Sequence, residues 1–159
     1  MGSRESVREA TAGDAAGIQA LAGELAEAVG DASPDEESVG ARLGELLNEP
    51  RARVFVAEVE GEVAGLATLW IKPDLAHGDV VVEVPMLVVA GEHRRGGIGK
   101  LLMARVREVA ADNEASVVEL VATRANVAAR KFYKSLGFVE ADVVSLEFVG
   151  DNGNPPDGA

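Results

Sequence analysis

The chain has 159 residues and a formal net charge of −12 at neutral pH, which indicates a single domain large enough to bury a substantial core. Because a chain this acidic repels phosphate backbones, we expect no general nucleic-acid binding. Hydrophobic residues make up 47% of the sequence, which is typical of a globular protein and not of a disordered one.

No apolar run reaches the roughly 18 residues that a membrane-spanning helix needs, and the first ten residues show no signal-peptide pattern. We therefore expect no membrane association. The sequence contains no cysteine, which excludes disulfides and thiolate metal ligands and favours a cytoplasmic location. The two histidines, His77 and His93, are isolated from each other, so we expect no metal site.

The first half of the chain predicts a strand, two helices and a hairpin. A short strand is expected at 7–9 and a helix begins at Asp14, because apolar residues then recur at helical spacing: Ile18, Leu21, Leu25 and Val29. A second helix follows the break at 30–34 and runs to about Asn48, with acidic residues in its first turn. Strands at 53–59 and 63–70 are joined by a hairpin signal, and a loop is expected at 72–78.

The stretch from Val80 to Asn113 joins a strand to a helix through a basic, glycine-rich turn. An apolar run of strand length ends at Ala90, and after the turn apolar residues recur on one helical face: Leu101, Leu102, Val106 and Val109. The first turn of such a helix has unpaired N–H groups and the positive end of the helix dipole. This arrangement predicts a phosphate-binding site.

Three glycines, Gly96, Gly97 and Gly99, are expected to let the backbone of this turn approach an anion and adopt positive φ. Full positive charges surround the same spot, from Arg94, Arg95 and Lys100. Two nucleotide-binding motifs do not fit. A Walker A loop requires a first glycine and a final Ser or Thr, and this sequence has Arg94 and Leu101 at those positions. A Rossmann fingerprint requires a third glycine, and this sequence has Leu102 there.

The remaining chain predicts two further strand regions around one helix. A strand is expected at 117–122, a helix from Asn126 to Leu136 that stops at Gly137, and strand character at Phe138 and at 143–149. The tail at 150–159 is rich in Gly, Pro, Asn and Asp and is predicted to be disordered. This order predicts one mixed α/β domain over 1–149, with a right-handed crossover between the strands at 80–89 and 117–122.

Two motifs carry a resemblance to a known family. The first is Arg94-x-x-Gly97-x-Gly99, and the second is Asn126-x-x-Ala129-x-x-Phe132-Tyr133-x-x-Leu136-Gly137-Phe138. Together they resemble the GNAT superfamily of acetyl-CoA-dependent N-acetyltransferases. The resemblance implies the α/β (α+β) GNAT fold, a mixed and mostly antiparallel sheet of roughly six or seven strands flanked by about four helices.

The resemblance also implies a reaction and the residues that perform it. An amine would attack the thioester of acetyl-CoA directly, the N–H of Leu87 would stabilise the oxyanion, and Tyr133 would protonate the departing thiolate. Val89 would pair with the pantetheine amides in the manner of an added strand. The residues expected to bind acetyl-CoA are Leu87, Val88, Val89, Arg94, Arg95, Gly96, Gly97, Ile98, Gly99, Lys100, Asn126, Ala129 and Tyr133.

Glu83 is the candidate base, as a single carboxylate in an apolar run, where burial would disfavour its charged form. An acid at this offset from Gly97 serves as base in the histone-acetylating branch of the superfamily. Glu119 is the alternative, and deprotonation through water or a purely structural Glu83 also stays open. Pro85 has no N–H for a ladder, which is consistent with the bulged strand of this family.

The acceptor amine, a small molecule or a peptide, carries no recognisable motif. The resemblance places the link between the first two helices beside the acceptor groove, where its acidic residues would draw in a cationic acceptor: Asp31, Asp35, Glu36 and Glu37. The alternative, that these carboxylates only solubilise the chain and start a helix, stays open. Two other readings stay open, a non-catalytic acyl-CoA-binding regulator on the same fold and a phosphate-binding domain unrelated to CoA. A homodimer is also left open.

Overall fold

The computed structural model describes residues 4–148, and within them strands and helices follow the predicted order as far as the last helix. The strands are β1 (Glu5–Glu9), β2 (Ala52–Val59), β3 (Glu62–Asp74), β4 (Asp79–Val89) and β5 (Val117–Glu119). The helices are α1 (Ala15–Val29), α2 (Glu36–Leu47), α3 (Ile98–Asp112) and α4 (Val127–Ser135). The tail predicted to be disordered, 150–159, lies outside the described residues, as does Val149.

The strands form one sheet in the order β1-β2-β3-β4-β5. Neighbouring strands are antiparallel except for β4 and β5, which are parallel and joined through α3. This confirms the mixed, mostly antiparallel sheet with four helices. Within residues 4–148, none of the helices is long and apolar enough to cross a membrane.

The described sheet has five strands, fewer than the six or seven expected. Residues 138–148 follow α4 without forming a strand. The apolar side chains after Phe138 are largely exposed, with 74% of Val143, 90% of Leu146 and 93% of Phe148 accessible. The β propensity of this segment was real in the sequence, but propensity yields a strand only where a neighbouring strand and a packing surface exist.

The predicted loop at 72–78 was wrong for its first three residues, which continue β3. Lys72 pairs with Val81 and Pro73 with Val80 on β4, so the strand partner overrides the weak strand propensity of the segment. The turn is confined to 75–78, where Gly78 adopts a φ of 68° that favours glycine. The longer β3 matters for the site because it places Lys72 in the sheet.

Helix α1 begins one residue later than predicted, after a short 3-10 turn at Ala12–Asp14. Asp14 is buried and receives hydrogen bonds at 2.8 Å from both terminal nitrogens of Arg8, and one at 2.7 Å from the N–H of Thr11. Arg8 also bonds Glu58 at 2.6 Å. This network joins β1, the start of α1 and β2.

Two apolar layers cover the two faces of the sheet. On one face α3 packs through Ile98, Leu102 and Val106, which are almost completely buried. On the other face α1 and α2 pack through Ile18, Leu21 and Leu43 against residues of β2, β3 and β4. The side chains of β4 alternate between these two layers, so the position of each residue along the strand decides against which layer it packs.

Strand β4 contains a bulge, as Pro85 led us to expect. Trp70 pairs with Glu83 while Thr68 pairs with Met86, so the β4 segment between these pairs holds one residue more than its partner. The extra residue keeps Glu83 and Met86 on the same face of the sheet, the face covered farther along by α1 and α2. It also marks the point at which β4 separates from β5.

Candidate active site

The separation of β4 and β5 opens a cleft in the sheet. The two strands pair only at Val81–Glu83 and Val117–Glu119, so the edge of β4 beyond Glu83 has no strand partner among residues 4–148. A sheet edge of this kind presents unpaired N–H and C=O groups and can accept an extended ligand as an additional strand.

The hydrogen-bond pattern shows which peptide groups of β4 face the cleft. The N–H of Ala90 donates to Ala64 of β3 at 2.8 Å, and in an antiparallel pair alternate residues point toward and away from the partner. Val88 therefore faces β3, whereas Leu87 and Val89 face the cleft. In agreement, the carbonyl of Val89 accepts from Arg94 at 3.3 Å and that of Leu87 from Tyr133 at 3.5 Å.

The predicted anion-binding loop lies at the end of this edge. Gly97 adopts a φ of 87° and is the N-cap of α3, so the N–H groups of the first turn of the helix are free of intrahelical partners. Arg94, Arg95 and Lys100 are exposed around this helix start. Arg95 itself has a φ of 76°, an unfavourable conformation for a residue with a side chain, of the kind that clusters at ligand-binding loops.

The glycines of the loop have different roles, which corrects the expectation that all three adopt positive φ. Among them only Gly97 does so, with open space around the position of a Cβ. A Cβ on Gly99 would lie 2.7 Å from the ring of Phe132, so Gly99 is required for the packing of α3 against α4. Ile98 is buried in the core and can offer a ligand only its backbone.

Tyr133 projects from α4 toward β4. Its ring lies between Phe132 and Phe138, with centroid distances of 5.5 and 6.1 Å. Burial raises the pKa of its hydroxyl above the usual value of 10.0, so the group is protonated at neutral pH and can donate a proton. Its hydroxyl lies beside the carbonyl of Leu87, at the bulged part of the cleft where the resemblance places the thioester.

Asn126 begins α4, and its side-chain oxygen accepts the N–H of Ala129 at 3.1 Å. This is an ordinary N-cap. Helix initiation therefore explains why the motif has Asn126 and Ala129 at these positions. Their proposed contact with acetyl-CoA stays a prediction.

Glu83 was expected to be buried, and it is not. Its side chain is 37% exposed, and its Oε2 lies 2.5 Å from the Nζ of Lys72. Glu83 lies on the face of the sheet that α1 and α2 cover. These helices pack over Met86 and Val88 of β4 but do not extend over Glu83. Glu119, the alternative base, is its direct neighbour on β5. The hydrogen bond and charge of Glu83 raise the pKa of Lys72.

Lys72 and a carboxylate-lined groove below it are features that the sequence reasoning missed. The groove has a volume of about 390 Å³, and Asp74, His77, Asp79 and Glu119 contribute to its lining. Asp74 lies 2.6 Å from His77 and raises the pKa of the imidazole. Asp74, His77 and Asp79 have ligand atoms within 4.8 Å of one another. Their spacing across a hairpin, with a histidine between two aspartates, was the signal in the sequence.

A sheet split between parallel strands, a basic helix start at its mouth and a tyrosine directed at the split are features of the acetyltransferase class. Residues 19–138 match the model of the Acetyltransferase (GNAT) family. The chain therefore belongs to this family.

Known relatives agree with this assignment. The chain is 34% identical over 103 residues to an N-acetylaspartate synthetase from Xenopus tropicalis, which covers 65% of the chain but only 36% of that protein. It is 36% identical over 111 residues to an N-alpha-acetyltransferase from Sulfurisphaera tokodaii, covering 63% of the chain and 64% of the relative. The chain thus spans about a third of the first relative and about two thirds of the second.

Solved structures show the same fold. An aminoglycoside N-acetyltransferase in complex with CoA superimposes with a TM-score of 0.80, at 21% identity, over 93% of this chain and 96% of the other. At that identity the similarity concerns the fold alone.

Proposed function

We propose that the protein transfers an acetyl group from acetyl-CoA to a primary amine by direct attack. The observation that carries this proposal is the pair of Leu87, whose peptide group faces the open cleft, and Tyr133, whose hydroxyl lies 3.5 Å from the Leu87 carbonyl. In the proposed reaction the Leu87 N–H stabilises the oxyanion that forms on the thioester. Tyr133 then donates its proton to the CoA thiolate. A cytoplasmic location belongs to the same proposal and is supported by the cysteine-free sequence.

Acetyl-CoA would bind along the cleft as an added strand. The peptide group of Val89 would pair with the pantetheine amides, and the pyrophosphate would lie at the start of α3 beside Arg94, Arg95 and Lys100. Glu83 would accept the proton of the attacking amine, directly or through water. An acceptor would reach Glu83 from the part of the sheet face that α1 and α2 leave uncovered.

We further propose a cationic acceptor. Carboxylates line the groove, and the resemblance places the acidic link between α1 and α2 beside the acceptor. Both sets of negative charge would attract a positive amine. Asp35 also has a structural role, because it caps α2 by accepting the N–H of Ser38 at 2.7 Å. The relatives named N-acetylaspartate synthetases point instead to an amino-acid acceptor for those proteins. The acceptor panel described next includes both kinds.

The test measures CoA release with acetyl-CoA and a panel of amines. The panel contains a polyamine, a basic peptide, a neutral amine and an acidic amino acid. Turnover of at least one amine supports the proposal. Stabilisation by acetyl-CoA without any turnover would instead favour the acyl-CoA-binding regulator, and equal stabilisation by ATP would favour an unrelated phosphate-binding domain. A ligand at a hundredfold excess over its Kd stabilises the fold by about 2.7 kcal/mol.

The loop is tested by Gly97→Glu, which places a carboxylate where the pyrophosphate belongs. We expect loss of stabilisation by acetyl-CoA. Gly61→Glu is the matched control, because Gly61 also has a positive φ, 84°, and open space, but lies in the β2–β3 turn. If both variants keep the affinity of the original protein for CoA, the loop assignment is wrong.

A further inference from the structure

The side chain of Arg94 is bonded to the part of β4 that would pair with pantetheine. Its Nε donates a hydrogen bond to the carbonyl of Val89 at 3.3 Å. This carbonyl points into the cleft, because the next residue, Ala90, donates its N–H to Ala64 of β3 at 2.8 Å and the direction alternates along a strand. Arg94 therefore lies on the side of β4 along which an added strand would run.

Arg94 also belongs to the predicted anion-binding loop. It lies three residues before Gly97, the N-cap of α3, and it is exposed. The loop turns tightly at this point, since Gly96 donates its N–H to the carbonyl of His93 at 3.3 Å, so the chain between Arg94 and the helix start spans less than the roughly 11 Å of three extended residues. The same side chain can therefore serve either the anion site or the carbonyl of Val89.

These two possible partners differ in strength. A guanidinium binds a phosphate group through two parallel hydrogen bonds, which are shorter than neutral ones and about twice as strong. The bond from Arg94 to the neutral carbonyl of Val89, at 3.3 Å, is longer than the usual range of roughly 2.7–3.2 Å. A diphosphate at the start of α3 would therefore draw the guanidinium away from Val89.

We propose that Arg94 is a specificity-determining residue that makes the cleft select thioesters carrying a diphosphate, an inference that rests on the proposed function. A carbonyl oxygen can accept two hydrogen bonds, but paired strands are only about 4.8 Å apart, and a guanidinium beside an outward-facing carbonyl takes up that space. The diphosphate of acetyl-CoA binds Arg94 and frees the carbonyl of Val89 for the pantetheine amide. A thioester without a diphosphate has to displace Arg94 without this compensation.

The exchange separates acetyl-CoA from shorter thioesters that share its pantetheine arm. Both kinds would pair with the open edge of β4, so this pairing does not discriminate between them. For S-acetyl-pantetheine the broken bond between Arg94 and Val89 is a loss, whereas for acetyl-CoA the ion pair with the diphosphate replaces it. A site that penalises the wrong ligand as well as binding the right one discriminates more sharply.

Arg95 provides the matched control. It is the next residue of the loop, it is also exposed, and it is also predicted to lie beside the diphosphate. Within the part of the chain that the structure describes, its side chain forms no hydrogen bond with β4. Arg94→Met and Arg95→Met each remove one positive charge from the loop, but only Arg94→Met also frees the carbonyl of Val89.

The experiment measures the Kd of three ligands by NMR titration of the original protein and of both variants. The ligands are acetyl-CoA, its 3′-dephospho form, which keeps the diphosphate, and S-acetyl-pantetheine, which lacks it. We expect both variants to bind the first two more weakly. Arg94→Met should bind S-acetyl-pantetheine about twofold to tenfold more tightly than the original protein does, the range that one hydrogen bond spans, whereas Arg95→Met should leave that Kd unchanged.

Any other response of S-acetyl-pantetheine to Arg94→Met, or an equal gain in Arg95→Met, would overturn the inference. Tighter binding of acetyl-CoA to Arg94→Met would also overturn it, because Arg94 would then only obstruct the cleft. If the original protein binds acetyl-CoA and acetylates an amine, these results leave the proposed function intact. If it does not bind acetyl-CoA, the proposed function is rejected, and this inference with it.

Discussion

At the scale of single residues, the two candidate proton-transfer groups lie in contrasting surroundings. Tyr133 is half-buried among aromatic rings, and burial holds its hydroxyl in the protonated form. Glu83 lies on an open face and carries an ion pair with Lys72. A direct transfer from thioester to amine requires one group that protonates the departing thiolate and another that accepts a proton from the amine. Tyr133 and Glu83 are the candidates for these two roles.

We expect Tyr133→Phe to lower kcat by about 10²–10⁴-fold, the usual contribution of a general acid. The variant keeps the ring that packs between Phe132 and Phe138, so thermal stability and acetyl-CoA affinity should stay nearly unchanged. The measurement is single-turnover CoA release, which isolates the chemical step. Phe138→Leu is the control for ring packing. Unaltered chemistry in Tyr133→Phe would remove this residue from the mechanism.

Asp14 predicts a pH-dependent contribution to stability. Hydrogen bonds from Arg8 lower the pKa of this buried carboxyl below 3.8, so its contribution is present above pH 3.8 and is lost as pH falls through the lower folded-state pKa. We expect Asp14→Asn to reduce the unfolding free energy at pH 7 by about 1–3 kcal/mol, since it disrupts a buried hydrogen-bond network. Urea unfolding at pH 7 and at acidic pH should show the difference between the two proteins shrinking. A difference that is constant with pH would contradict this assignment.

At the scale of elements, the start of α3 serves two neighbours at once. Its free N–H groups lie at the predicted anion site, while Gly99 lets the ring of Phe132 on α4 approach the helix. The same close contact helps to fix the position of α4, which carries Tyr133. The family motif around Gly97 and Gly99 thus combines a predicted ligand-binding role with an observed packing role.

We expect Gly99→Ala to destabilise the fold by about 1–3 kcal/mol, the usual cost of overpacking a core contact. A second change, Phe132→Leu, should recover part of this loss by removing the ring that the new methyl group meets. Gly44→Ala is the matched control on α2, where a Cβ meets nothing within 4 Å, and it should stabilise by roughly 0.5–1 kcal/mol. Chemical denaturation of the four proteins measures these values. A Gly99→Ala protein as stable as the original would refute the packing role.

At the scale of the whole molecule, charge is distributed unevenly. The chain has a net charge of −12, yet Arg94, Arg95 and Lys100 are grouped at the helix start that would hold CoA. The rest of the surface is therefore more acidic than the total indicates. Such a field would attract a cationic acceptor to the open face of the sheet and repel an acidic one.

We expect kcat/KM for a polyamine to exceed that for an acidic amino acid and to fall as salt is added, because salt screens exposed charges over about 8–10 Å at physiological strength. A neutral amine is the control and should respond little. Initial rates at two salt concentrations measure the effect. Preference for the acidic amino acid, or a polyamine rate indifferent to salt, would reject the cationic acceptor and favour the kind of substrate suggested by the N-acetylaspartate synthetases.

The sequence by itself determined the features that depend on local patterns. Helical spacing predicted α1 and α3. Start and stop signals predicted α2 and α4, and Pro85 agreed with a bulge in β4. The motifs around Gly97 and Tyr133 were sufficient to indicate the family. These predictions succeeded because their causes lie within one turn, one strand or one helix. The positive φ of Gly97 is of the same kind.

Only the tertiary structure decided features that depend on partners distant in the chain. Strand register brought Lys72 to Glu83, and the ring of Phe132 gave Gly99 its packing role. Conversely, residues 143–148 have strand propensity but form no strand in the structure. No local pattern records these outcomes, because each is decided by which surfaces meet: a side chain acquires its charge partner, its burial and its face of the sheet only when another element packs against it.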